Sequence, residues 1–216
     1  MTKAKFSQIK KFFSHFPTKK FAKGATIFKP GDKIEEIYFS KSGFGRAYTK
    51  TNFGENTLNV FKPMFLISVI HHFTAARNDF YFQALTPVEV YVIPKSEFQK
   101  YLADNPEKFH LIMDYFFSSL LLFFSNQGKI INGSAINKVA SVLLQLSHDY
   151  GDIKDAQLVV GFPATHRIVA NLVGLTRETT SVQMSRLQKL GVISTKRSHF
   201  TVKNLEKLRS LAELGE

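Results

Sequence analysis

The stretch THRIVANLVGLTRETTSVQMSRLQKL, from Thr165 to Leu190, constrains the fold most, because its spacing demands two short helices meeting at a tight turn. Thr165 is an N-cap residue type, and Ile168, Val169 and Leu172 follow at helical spacing up to Val173. Gly174 ends that helix, since glycine takes the left-handed conformation at no steric cost, and the small Ala170 lets a second helix cross close by. Thr176 caps the second helix, with Met184, Leu187 and Leu190 as packing positions. Arg177, Glu178, Thr179 and Ser181 in its first turns make the exposed face polar. This is a helix-turn-helix pattern, in which the second helix meets base edges in the major groove while flanking groups hold phosphates. Beyond it, Gly191 and VISTKRSHFTV predict a β-hairpin with a basic tip at Lys196, Arg197, Ser198 and His199, suited to phosphate contact.

The run GLTRETTS, with THRIVANLVG before it and MSRLQKLGVI after it, resembles the winged helix-turn-helix of the Crp/Fnr family of transcription regulators. In that family an Arg-Glu pair reads a guanine and a cytosine, which suits a guanidinium donor fork and a carboxylate acceptor. The resemblance implies base contacts by Arg177, Glu178 and Ser181 and phosphate contacts by Thr165, Thr176, Thr179, Lys196 and Arg197. It also implies double-stranded DNA and RNA polymerase as partners. Where the family usually carries a further base-reading arginine, this chain has Val182, which cannot hydrogen-bond guanine. The family's usual target sequence therefore does not transfer. Thr180 and Gln183 are polar at positions that are often apolar, and their part in contacts stays open.

The chain has 216 residues, 44% of them hydrophobic with 22 Phe and no Trp, which is room for one or two Phe-rich cores. It has no Cys, which excludes disulfides, thiolate metal sites and cysteine-held iron–sulfur clusters and fits a reducing, cytoplasmic setting. A formal charge of +12 favours polyanionic partners. Lys3, Lys5, Lys10, Lys11, Lys19, Lys20 and Lys23 all precede the first acid, Asp32, and interleave with Ile9, Phe12, Phe13 and Phe16. That pattern fits a helix docked on a core with a solvated lysine face better than a segment that binds an anionic membrane surface or nucleic acid. The segment lacks the continuous apolar run of a secretory signal, and none is expected.

From Phe21 to about Val92, glycine-punctuated runs such as ATIF, EEIYFS, GRAYT and NTLNVF predict strands of an antiparallel barrel or jelly roll. The order GATIFKPGDKIEEIYFSKSGFGRAY resembles the β-roll sensor domain of the same family. Family members that bind cyclic nucleotides hold them with a Gly-Glu pair and a following Arg-Ser or Arg-Thr pair. Here those places fall on Ile67-Ser68 and Asn78-Asp79, and Asp79 repels phosphate. No cyclic-nucleotide binding by that cassette is expected, and the effector-binding residues stay unknown. Adjacent His71 and His72 diverge on either a strand or a helix, so neither a shared metal nor a cofactor is expected.

Asp104 or Asn105 as cap and Pro106 in the first turn open a long helix. Phe109, Met113, Phe116, Leu120, Phe123 and Gln127 make a heptad seam, and Ile112, Phe117, Leu121 and Phe124 a second stripe. One face is expected to meet the β-roll and the other, through Phe109, Met113, Phe116, Leu120 and Phe123, the same helix of a second copy in a homodimer. The apolar run is too short to cross a membrane. Asn132, Gly133 and Ser134 then mark a boundary before AINKVASVLLQLSHDYG. A small hairpin in GDIKDAQLVVGFP and a final amphipathic helix covering the wing complete the chain. The expected architecture is α+β: a β-roll with an N-terminal helix (1–103), a dimerisation helix (104–132) and a winged helix-turn-helix (133–216). No nucleophile motif, phosphate loop or zinc-spaced histidine pair points to an enzyme. The alternatives are a ligand sensor without DNA function, or an enzyme using His71, His72 and Asp79.

Overall fold

The computed structural model describes residues 9–52, 54–74, 77–154, 157–196 and 198–213, apart from the side chains of 122, 125–132 and 154. By its contacts the chain forms two compact units, one reaching through Thr49 and from Leu58 to Leu121, the other made of Lys50–Thr57 and the residues from Leu122 onward.

The β-rich part of the chain begins with helical residues 9–13 (α1). Strands follow as β1 (Thr18–Phe21), β2 (Thr26–Phe28), β3 (Glu36–Ser42), β4 (Gly45–Thr51), β5 (Gly54–Phe61) and β6 (Leu66–Ile67). The short helix α2 (Ile70–Phe73) precedes β7 (Tyr81–Ala84) and β8 (Val88–Pro94), then α3 (Lys95–Asp104) and α4 (Pro106–Asn132). The strands form two sheets in the orders β1-β8-β3-β6 and β2-β7-β4-β5. Because strand residues alternate in direction, the first sheet has two apolar faces. Tyr38, Val88 and Val90 turn inward to pack with Phe28, Phe61, Ile67 and Phe82. Ile37, Phe39, Tyr91 and Ile93 face the helices, meeting Ile9 and Phe13 of α1, Phe98 and Leu102 of α3 and Ile112 of α4. Within the second sheet, the missing side chain of Gly45 on β4 makes room for the Phe61 ring of the adjacent β5: a Cβ there would sit within that ring.

The N-terminal helix docks on this core as expected, with Ile9 and Phe13 buried and Lys10 and Lys11 exposed. The lysine run does not stay helical. Lys19 and Lys20 lie on β1, at the edge of its sheet, where exposed lysines discourage pairing with other chains.

The apolar faces of α4 are rotated from the expected ones. Ile112 is fully buried, and Leu111, Met113, Tyr115 and Phe116 lean against the same core, whereas Phe117, Leu121 and Phe124 are 57%, 71% and 61% exposed. Phe109 and Leu120 stand at the margin, Phe123 is half-buried, and the side chain of Gln127 lies outside the described residues. Strict heptad counting placed Met113 and Phe116 outward. At about 100° per residue, though, the outward arc centres on Phe117.

The second unit is built on α5 (Ala135–Tyr150), opened by a capping box between Ser134 and Asn137. Then come β9 (Gly151–Lys154), β10 (Gln157–Val160), α6 (His166–Val173), α7 (Arg177–Lys189), β11 (Ile193–Lys196), β12 (His199–Val202) and α8 (Leu205–Glu213). The hairpin β9–β10 does not stand alone but extends the wing into a four-stranded sheet, in the order β11-β12-β10-β9. Contrary to the expectation that it covers the wing, α8 packs on α5, whose Asn137 and Ser141 side chains donate to the carbonyls of Leu211 and Ala212 (2.8 and 3.0 Å). These bonds satisfy carbonyls in the last turn of α8 that have no partner within the helix.

Candidate nucleic-acid interface

The turn between α6 and α7 is fixed by three local devices. Thr165 takes extended backbone and its hydroxyl oxygen accepts from the Ile168 N–H at 3.2 Å, so the first turn of α6 is capped. Gly174 ends the helix with φ +67°, and the N–H groups of Gly174 and Leu175 both donate to Ala170. Thr176 then caps α7, accepting from the Thr179 N–H at 3.1 Å while donating to the Thr179 hydroxyl at 2.9 Å. The Thr176 and Thr179 hydroxyls share one hydrogen bond, which leaves one of their two protons, together with that of Thr165, available to donate outward.

The two helices pack on each other and on α5, burying Val169, Ala170 and Val173 of α6 and Thr180, Met184 and Leu187 of α7. Leu190, expected among these packing residues, is 40% exposed at the end of α7, and Val192 and Ile193 fill that part of the core instead. Burial also decides what α7 shows to solvent. Arg177, Glu178, Val182 and Ser185 are exposed and Ser181 is half-buried beside them. Thr180 is fully buried and Gln183 carries a buried side-chain oxygen, so both lie off the exposed arc. Ser185, one turn beyond Ser181, shares that arc; helical spacing from Ser181 was the signal for it.

Lys196 is exposed at the end of β11, paired in register with His199, while Arg197 lies outside the described residues. The wing is tied to α7 by Gln188, whose amide donates to the Thr195 hydroxyl at 2.6 Å. A second brace, from the Lys203 ammonium to Gln157 at 2.7 Å, joins the wing to β10. Neither brace was legible from local sequence, since each joins residues on different elements.

Two family models match the chain: a cyclic nucleotide-binding domain over residues 18–105 and a Crp-like helix-turn-helix domain over 137–211. Between them they take in most of it. The chain belongs to the Crp/Fnr family of transcription regulators. A global nitrogen regulator of Synechococcus elongatus is 25% identical over 187 residues, covering 85% of this chain and 84% of that protein. An anaerobic regulatory protein of Haemophilus influenzae is 28% identical over 196 residues, covering 89% and 75%. Among solved structures, FixK2 from Bradyrhizobium japonicum has the same fold, with a TM-score of 0.79 at 16% identity over 91% of this chain and 96% of that one.

Of the positions expected from the sequence to stand in place of the family's nucleotide cassette, Ser68 and Asn78 are bonded into the fold of this Crp/Fnr regulator. Ser68 is buried at φ +71° and its hydroxyl donates to the Glu36 carbonyl of β3 at 3.0 Å. Asn78 is buried too, donating to the carbonyls of Lys29 and Phe80 at 2.7 and 2.9 Å. Asp79 is exposed. His71 is buried on α2, and Lys95 donates to its carbonyl at 2.9 Å. His72 packs edge-on against Phe73 and Phe98, and burial, followed by the nearby Lys95 charge, lowers its pKa. Among the described residues, no three His, Asp or Glu side chains group as a metal site, and no helix is long and apolar enough to cross a membrane.

Proposed function

We propose that the chain is a sequence-specific transcription regulator that acts as a homodimer on a near-palindromic operator. The observation that carries this reading is the exposed arc of α7, where Arg177 and Glu178 stand clear of a rigidly capped, fully packed helix pair. Arg177 donates to a guanine edge, Glu178 accepts from a cytosine amine, and Ser181 bonds beside them. Thr165 and Thr179 donate to phosphates, and Lys196 and Arg197 add charge from the wing. Thr176, which caps α7, is the third threonine placed for a phosphate contact at that helix start. Two such helices, related by a dimer axis along α4, enter major grooves about 34 Å apart.

The functional division follows as a sensor roll (1–103), a dimer helix (104–132) and a DNA-binding segment (133–216), with RNA polymerase as the downstream partner. Cyclic nucleotides are not the effector, because Ser68 and Asn78 are bonded to backbone and Asp79 opposes a phosphate. Calorimetry should give no micromolar binding of cAMP or cGMP; such binding by either refutes this point. No reaction is assigned to His71 or His72.

Selection of duplexes from a random pool by the purified protein tests the main reading. An inverted repeat bound at least ~10³-fold more tightly than a scrambled control is expected, and Arg177→Ala and Glu178→Ala should abolish that preference with the fold intact. Sequence-indifferent binding that vanishes with salt would reduce the activity to the +12 charge, and ligand binding untouched by those substitutions would favour a sensor without DNA function.

A further inference from the structure

The exposed arc of α7 contains one side chain that its polar neighbours do not explain. At about 100° per residue, Ser181, Ser185, Glu178 and Val182 fall within a sector about 100° wide, opposite the buried Thr180 and Leu187. Val182 is the apolar member of this group and is 62% exposed. It does not serve packing, which α7 obtains from Met184 and Leu187. Nor does it favour the helix, since a β-branched residue in an exposed helical position is a poor helix former.

Resting on the DNA-binding reading above, we infer that Val182 is a specificity-determining residue that reads the 5-methyl group of a thymine in each operator half-site. The major-groove edge of DNA offers donors and acceptors at every base, and only thymine adds an apolar group. A valine pressed against guanine, adenine or cytosine would strip water from a polar edge and offer no hydrogen bond in return. Against thymine it buries a methyl group. Val182 lies four residues, about one helical turn, beyond Glu178, so the thymine sits a step or two from the base pair that Glu178 reads. The half-site therefore combines a hydrogen-bonded G·C pair with a neighbouring T·A pair read by shape.

The test uses the full-length protein and the duplex it selects. Each thymine of both half-sites is replaced in turn by uracil, which removes only the methyl group. One position should weaken binding about fourfold per half-site, so roughly 15-fold when both are changed, the loss expected for one buried methyl. In Val182→Ala that uracil penalty should disappear and the base preference at the position relax; in Val182→Thr, which keeps a methyl group there, both should persist. Because Val182 is exposed, these variants should melt like the parent, which a thermal scan checks. A selected half-site without a fixed thymine overturns the inference, as does a uracil penalty unchanged in Val182→Ala; in either case the regulator reading stands. Failure to select any inverted repeat overturns both.

Discussion

Thr180 shows how a polar side chain can belong to a core. It is fully buried on α7, and among the described residues its hydroxyl finds no hydrogen-bond partner. A buried hydroxyl without a partner retains the cost of its lost hydration, so Thr180→Val, which preserves shape and β-branching, should be neutral or stabilising by up to about 1 kcal/mol. Denaturant midpoints check the stability, and unchanged operator affinity checks that Thr180 lies off the DNA face. His72 makes the opposite kind of prediction. Burial and Lys95 hold its folded-state pKa below the ordinary 6.5, so the unfolded chain takes up the proton first as pH falls. The stability tied to neutral His72 is present above about pH 6.5 and is lost as pH drops through the lower, folded value. His72→Gln should flatten that part of the stability profile between neutral and mildly acidic pH, measured by urea titration at fixed salt.

The helix pair of the interface rests on its ends more than on its length. With only 8 residues, α6 could not hold together alone, and its cap at Thr165 and its left-handed close at Gly174 set where α7 begins. Nothing lies within 4 Å of a Cβ placed on Gly174, so Gly174→Ala tests conformation alone. Forcing φ +67° on alanine should cost about 1–2 kcal/mol and reorient α7 enough to weaken operator binding. Gly174→Asn, which tolerates that conformation better, should recover much of both losses. This element was legible in the sequence because caps, glycine and 3.6-residue spacing act within a few residues of each other. The wing was only half legible. Its hairpin followed from alternation around Lys196, but the joining of β10 to β12 links Val160 to Phe200, and no local signal carries a pairing over that separation.

In the molecule as a whole, the long helix α4 leaves Phe117, Leu121 and Phe124 in water, an apolar stripe that association would bury. A homodimer through this stripe, flanked by Phe109 and Leu120, follows as a prediction. Leu121→Glu costs the fold little, because the side chain is 71% exposed, but it places two carboxylates against each other across a two-fold axis. Sedimentation should show a dimer for the parent and a monomer for the variant at micromolar concentration, with the inverted-repeat preference lost alongside. A parent that stays monomeric well above micromolar concentration rules the dimer out.

The residues alone carried the α+β class, the strand runs, the capped helix pair and the Arg177–Glu178 face, because each depends on periodicity or on turn chemistry confined to a short window. Family resemblance gave those pieces their order. Packing decided what remained. Ile112 and Phe117 are equally apolar in sequence, and only the position of the β-roll core turns one inward and leaves the other exposed. Likewise Thr180 and Val182 are two residues apart on α7; the family register put Val182 at a base-reading position and left Thr180 open, whereas polarity alone would expose the threonine and bury the valine. The packing of α7 against α6 assigns them the other way round, since a helix has one buried face and its direction is set by the partner.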